Sequence, residues 1–246
     1  MDTVKKTGLN SNQIKLIAII AMTIDHVTWL LYPGCQKIWW VMLLHVIGRL
    51  TAPIMWFFIA EGFHYTRNAK KYIARLFVFA VISHFAYNLA GGIPFIPNGL
   101  FNMTSVMWSL AWSVVLMVLF TTEKLLQWAK IILMILICCV TFPSDWSTVA
   151  AMCPVFLYLH RGDFKKQSLT LLIWTAIYAT VYFIFMDKVY GILQMATLLS
   201  LPILKQYNGE RGSWKGMKWF FYVYYPAHLF VIGMIRILMG NGSIFP

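Results

Sequence analysis

The sequence predicts an all-α fold: a polytopic bundle of about nine transmembrane helices plus one interfacial or re-entrant segment. Three observations carry this. Hydrophobic residues fill 60% of the 246 positions and charged residues only 11%, with a mean hydropathy of +0.70, an excess of apolar surface that no soluble core of this size needs. Apolar runs recur at 14–32, 49–66, 72–90, 103–121, 127–142, 146–160, 167–186, 189–204 and 218–239, separated by short polar stretches. The basic residues fall mostly between alternate runs.

The charge pattern sets the expected orientation. With a cytoplasmic N-terminus and an outer C-terminus, only Lys37, Arg49, Lys188 and Arg236 of the 20 Lys and Arg fall within the membrane or outside. This is the positive-inside distribution. It accounts for the net charge of +12 without any nucleic-acid partner.

The elements follow in order. The first run, LIAIIAMTIDHVTWLL, lacks a small-residue cleavage site and reads as a retained span. KIWWVMLLHVIG is aromatic but short, and reads as the interfacial or re-entrant piece leading into the second run. GGIPFIPNGLFN reads as a structured outer loop. No internal repeat, low-complexity tract or linker divides the chain, so residues 1–246 are expected to form one domain. The four cysteines show neither a disulfide framework nor a C-x-x-C pattern.

Asp25 and His26 stand in the middle of the first run. A carboxylate at that depth costs roughly 2.5–3.5 kcal/mol on insertion scales, so the pair is expected to face other helices or a wet cavity and to mark a functional site. Lys15 and His26 have ten residues between them, a separation of about 16 Å along a helix. The lysine can therefore sit at the inner headgroups with the imidazole deep in the membrane, holding two ends of one extended molecule such as an acylated cofactor. The plainer alternative is a snorkelling lysine and a packing histidine. Asp25 points about 100° away from His26 and is expected to pair with Arg49, in a structural or a catalytic role.

The second run ends FFIAEGFHYTRNAKKYIARL. Glu61 and His64 share a helix face, and Arg67, Lys70, Lys71 and Arg75 follow. Such a cluster suits the phosphates of coenzyme A, although membrane anchoring alone also explains it. Glu61-x-x-His64 is half of a di-iron helix motif without its second copy, so no metal is expected. No G-x-S-x-G elbow, H-E-x-x-H helix or G-x-x-x-x-G-K-[ST] loop occurs. Asp145 in FPSDW reads as a helix cap or a site residue. His228 follows Pro226 and, with Tyr225, either satisfies freed backbone groups or lines a cavity. His84 and His45 read as packing or interfacial histidines.

At IKLIAIIAMTIDH, IGRLTAPIMWFFIAEGFHYTRNAKKYIARL, SDW and FYVYYPAHL the chain resembles the TraX family, membrane proteins named for a pilin N-acetylase. That family is similar to the acyltransferase 3 and transmembrane acyltransferase group. The group's basic residue, ten-residue spacing and histidine match Lys15 and His26. Its Ser-Gly-Phe-like element matches Glu61-Gly62-Phe63, with Glu61 in place of the small polar residue. The resemblance implies a multi-pass protein of the bacterial cytoplasmic membrane. It would move an acetyl group from acetyl-CoA to an outer amine or hydroxyl on a pilin, a glycan or a small amine, among membrane lipids and with no metal. The candidate catalytic residues are then His26, Asp25 and Glu61. Candidate acyl-CoA contacts are Lys15, Arg49, His64, Arg67, Lys70, Lys71 and Arg75, and candidate acceptor contacts are Asp145, Tyr225 and His228. The competing expectations are a proton-coupled transporter relaying through Asp25, His26, Glu61 and His64, and a non-catalytic partner in pilus or envelope assembly.

Overall fold

The structure, a computed structural model, describes residues 7–95, 102–123, 125–240 and 242–243. The outer loop is thus described only at its ends, and Lys5, Lys6 and Lys124 of the charge pattern lie outside the described residues. The described chain is helical, with two isolated β-bridges and no strand. Its helices are α1 (Ser11–Leu31), α2 (Trp39–Gly48), α3 (Thr51–His64), α4 (Ala69–Gly91), α5 (Val106–Thr121) and α6 (Gln127–Thr141). They continue as α7 (Ser147–Leu159), α8 (Phe164–Phe185), α9 (Lys188–Leu193), α10 (Leu201–Lys205) and α11 (Met217–Leu238), with a 3₁₀ segment (Gln194–Ser200) between α9 and α10.

Local sequence sets the ends. Asn10 opens α1 with a capping box, its side chain accepting from the amides of Asn12 and Gln13 while Gln13 reaches back to the Asn10 amide. Asn68 and Asp163 cap α4 and α8 in the same sense, accepting from the Lys71 and Lys166 amides. Gly92 closes α4 at φ +70°, a conformation that favours glycine.

Five stretches are long and apolar enough to cross a membrane: Ser11–Leu31, Trp39–His64, Ala69–Gly91, Phe164–Phe185 and Met217–Leu238. Helices α5, α6 and α7 are apolar but shorter. The segment expected to be interfacial runs on into α3, because Arg49 and Leu50 both keep right-handed helical dihedrals at the junction. The stretch 189–204, expected as one span, is broken into α9, the 3₁₀ segment and α10. Pro202 at the start of α10 offers no amide to the preceding turn, and the buried side chain of Gln194 turns to Arg49.

Packing separates inside from outside. Helix α4 lies against α5 and α11, α7 against α3, α5 and α8, and α1 against α2, α3 and α11. The core is aromatic and sulfur-rich, with Trp56, Met117 and Leu229 fully enclosed. The outer faces of α6 and α8 expose Ile131, Ile135, Leu136, Ile173, Ile177 and Ile184. Such faces are unfavourable in water and suit hydrocarbon. The start of α1 is tied to the α10–α11 loop by the Leu9–Tyr207 bridge and by the Ser11 amide donating to the Glu210 carbonyl at 2.8 Å. The α10–α11 basic residues therefore gather at the end of the bundle where α1 begins.

Candidate active site

Two cavities lie end to end inside the bundle and share three wall residues, Met22, Met55 and Tyr225. One, of about 270 Å³, opens at the end where α1 begins and carries four cations, Lys15, Arg75, Arg211 and Lys218. The other, of about 300 Å³, holds His26, Asp25, Arg49 and Asp145 among aromatic walls that include Trp29, Trp56, Trp146 and Tyr178.

His26 is placed by the last helix. The Tyr224 carbonyl can only accept, so His228 Nδ1 carries the proton that donates to it at 2.9 Å. In a neutral ring His228 Nε2 is then the acceptor, and His26 Nδ1 donates to it at 2.7 Å. The two rings lie within 11° of parallel. This chain fixes the tautomer of His26 and makes Nε2 its basic nitrogen. One turn away, Thr23 donates to the Ile19 carbonyl and accepts from the Tyr224 hydroxyl at 2.6 Å, while the Tyr224 ring stacks on His228 at 5.1 Å. Helices α1 and α11 are thus pinned at two points around the imidazole pair.

Asp25 faces elsewhere, as its position on α1 predicts. Arg49 Nη2 donates to Asp25 Oδ2 at 2.6 Å and His45 Nδ1 to Asp25 Oδ1 at 2.8 Å, and Arg49 Nη1 continues to Gln194 at 3.0 Å. Gly48 makes room for this: a Cβ there would collide with the Asp25 carboxyl. His45 is therefore not interfacial but fully enclosed, ringed by Trp29 and Tyr190. A lone histidine in an apolar helix gives no hint of a carboxylate twenty residues earlier.

Asp145 stands in the loop before α7, where the backbone is bent. Trp146 and Ser147 adopt φ of 61° and 48°, uncommon for side-chain-bearing residues and for a tryptophan a genuine outlier. The Trp146 ring holds this turn by stacking on Tyr178 at 4.5 Å and meeting Trp56 edge-on at 5.3 Å, with the Arg49 guanidinium 5.5 Å from its centre. The turn sets Asp145 in the cavity wall without an ion-pair partner among the described residues. Loss of water raises its carboxyl to about 6, against the opposing pull of Arg49.

In the basic chamber Lys15 sits 4.9 Å from the Phe58 ring centre. Arg75 lies over Tyr72 and Tyr222 at 5.3 and 5.2 Å. Of the seven expected acyl-CoA contacts, Lys15 and Arg75 line this chamber and Arg49 lines the other. His64, Arg67, Lys70 and Lys71 are exposed at the α3–α4 join and line neither. Arg211 and Lys218 complete the basic wall although the sequence spaces them far from the α4 cluster. Glu61 lines neither cavity. It is buried in a two-point ion pair with Arg161, at 2.7 and 3.2 Å, at the mouth of α3. Tyr225 lines both cavities, and His228 acts through His26.

Apolar outer faces and five helical stretches long and apolar enough to cross a membrane mark a membrane protein whose polar groups line two internal chambers. The chain belongs to the TraX protein family, whose profile matches residues 10–236. It is also similar to the probable fimbrial assembly protein FimC, serogroup H1, of Dichelobacter nodosus. The two are 28% identical over 226 residues, covering 88% of this chain and 91% of that one. No solved structure matches the chain.

Proposed function

We propose that this protein is a membrane-embedded acetyltransferase of the bacterial cytoplasmic membrane. It takes acetyl-CoA from the cytoplasm and acetylates an amine or hydroxyl on an acceptor at the outer side. The observation that carries this reading is the tautomer-fixed His26 in a chamber that adjoins a second one lined by four cations. The positive-inside rule puts the basic chamber on the cytoplasmic side. Its cations suit the phosphates of coenzyme A, and the wall of Met22, Met55 and Tyr225 is what an extended acyl-pantetheine arm would cross to reach His26.

The chemistry then needs a base and a positioned acceptor. His26 Nε2 takes the proton of the attacking amine or hydroxyl as the new bond to the acetyl carbon forms. The thioester C–S bond breaks, and the thiolate leaves with coenzyme A toward the basic chamber. A covalent route, in which His26 Nε2 itself carries the acetyl group between two such steps, uses the same atom. Asp25, tied to Arg49 and His45, positions α1 against α2. Asp145 and the aromatic walls receive the acceptor.

The test is vectorial transfer. With radiolabelled acetyl-CoA outside inside-out vesicles and candidate acceptors sealed within, label should appear on the enclosed acceptor. Label confined to the donor compartment contradicts the proposal. The name of the Dichelobacter relative, a probable fimbrial assembly protein, favours a second reading, a non-catalytic partner in fimbrial assembly. Under that reading cells carrying His26→Ala would assemble fimbriae normally and their subunits would carry no acetyl group in the wild type either.

A further inference from the structure

Helix α5 starts where helices seldom start, inside the bundle. It has 16 residues, fewer than the long spans, and Ser105, Val106 and Met107 at its beginning are all buried. The first amides of a helix have no partner within it, and the preceding residue, Ser105, gives them no side-chain cap. Val106 lines the His26 chamber, and Asp145, in the wall of that same chamber, turns its carboxyl to the Trp146 amide instead. A buried helix start with its positive pole uncapped suits an electronegative atom.

Tyr225 of α11 faces that start. The polar neighbours of its hydroxyl are the Val106 amide and the Ser105 hydroxyl. Both hydroxyls are nonetheless orphaned: Ser105 and Tyr225 are only 0 and 3% exposed, and neither side-chain oxygen closes a hydrogen bond. A buried hydroxyl is ordinarily bonded, so one left open in a cavity wall has capacity for a ligand. Its place in the bundle says which atom that ligand brings. Tyr225 is one of the three residues that line both chambers, and the His228 ring touches it edge-on at 5.7 Å while stacking on His26 at 4.9 Å. A thioester arm coming from the basic chamber therefore reaches His26 past Tyr225.

We propose that the Tyr225 hydroxyl and the Val106 amide form an oxyanion site for the acetyl thioester. The acetyl carbonyl oxygen accepts from both donors. As the acceptor, or His26 Nε2 on the covalent route, bonds to the carbonyl carbon, the C=O π pair moves onto that oxygen. There the two hydrogen bonds and the positive pole of α5 hold the charge. The pair returns as the C–S bond breaks and the thiolate leaves, and Tyr225 keeps its proton throughout. The inference rests on the acetyltransferase reading. It adds the group that stabilises the developing charge, and it makes Tyr225 a catalytic residue that touches the donor rather than an acceptor contact.

The experiment uses the full chain in detergent and Tyr225→Phe, which keeps the ring and removes only a hydroxyl with no hydrogen bond to lose. Its unfolding should therefore match that of the wild type. Release of coenzyme A from acetyl-CoA, with water or hydroxylamine as the nucleophile, is expected to fall about 10²-fold in kcat with KM changed by less than about twofold. An unchanged kcat, or a loss confined to KM, overturns the proposal. A second readout needs no turnover. Acetonyl-coenzyme A, in which a methylene separates the sulfur from a ketone, is bound with an isotopically labelled carbonyl, and its stretch is read by infrared difference spectroscopy. The stretch should lie at lower wavenumber on the wild type than in free solution and move back toward the free value on Tyr225→Phe. The same stretch on both proteins, or no binding to either, overturns the proposal. The two readings fail separately. A wild type that polarises the bound carbonyl through Tyr225 but releases no coenzyme A refutes the transferase and leaves the carbonyl site, and His26-dependent release that Tyr225→Phe leaves intact does the reverse.

Discussion

His26 on the first helix donates from Nδ1 to Nε2 of His228 on the last, across 2.7 Å and 202 positions of sequence. A residue near the end of the chain therefore decides which nitrogen of His26 is basic. His228→Ala removes that decision without touching His26. A loss of about 10²-fold in kcat is expected, the lower range for general acid–base catalysis, with KM for acetyl-CoA little changed. Steady-state kinetics on the purified variant checks this, and an unchanged kcat counts against the assigned tautomer.

Asp25 ties α1 to α2 through His45 and Arg49, and Arg49 extends the link to Gln194 of the 3₁₀ segment. Asp25→Ala leaves a buried guanidinium without its counter-charge and is expected to cost about 3–5 kcal/mol. Asp25→Ala/Arg49→Met removes both charges and should recover a large part of that loss. Thermal unfolding in detergent measures the difference. Additive losses in the double variant would show that the pair is not coupled.

The cations sort into two groups with different consequences. Arg75→Ala and Lys218→Ala, in the chamber wall, are expected to raise KM for acetyl-CoA about tenfold each at low salt, and less at high salt. Lys70→Ala and Lys71→Ala, exposed at the start of α4, should shift KM by less than about twofold. Kinetics at two ionic strengths separates the groups, and equal effects would move donor binding to the exposed cluster.

Asp145 titrates near 6 in the folded protein, above the usual value of about 3.9 for an unfolded chain. The folded state therefore binds more protons between those two values, so stability falls as pH rises from about 4 to about 6 and levels off above. Asp145→Asn should remove that slope. Unfolding temperatures across this window in both proteins test it, and an unaltered slope in the variant assigns the titration to another group.

The fold was legible where hydrophobic runs are long. Each of the nine apolar runs falls on helical structure, and five of the stretches are long and apolar enough to cross a membrane. The break at Gln194–Ser200 was hidden because an apolar run has the same composition whether continuous or interrupted, and the contact that favours the break, Arg49 to Gln194, spans 145 positions. In the site, the Asp25–Arg49 pair followed from helix periodicity and the cost of an unpaired charge. His45, Gln194, Arg161 and Tyr224 did not, because each finds its partner through a fold that brings distant runs together. Arg67, Lys70 and Lys71 looked like part of the site because clustering in sequence resembles clustering in space. The chamber instead takes one cation each from α1, α4, α11 and the loop before α11.

Acetyl transfer that depends on His26 is read from the release of free coenzyme A from acetyl-CoA by purified wild-type protein and by His26→Ala. Release by the wild type, even slow hydrolysis without an acceptor, together with its loss in a variant that keeps the wild-type unfolding profile, is the predicted result. Equal release by both proteins, or none by either across amine, peptide and glycan acceptors, contradicts it.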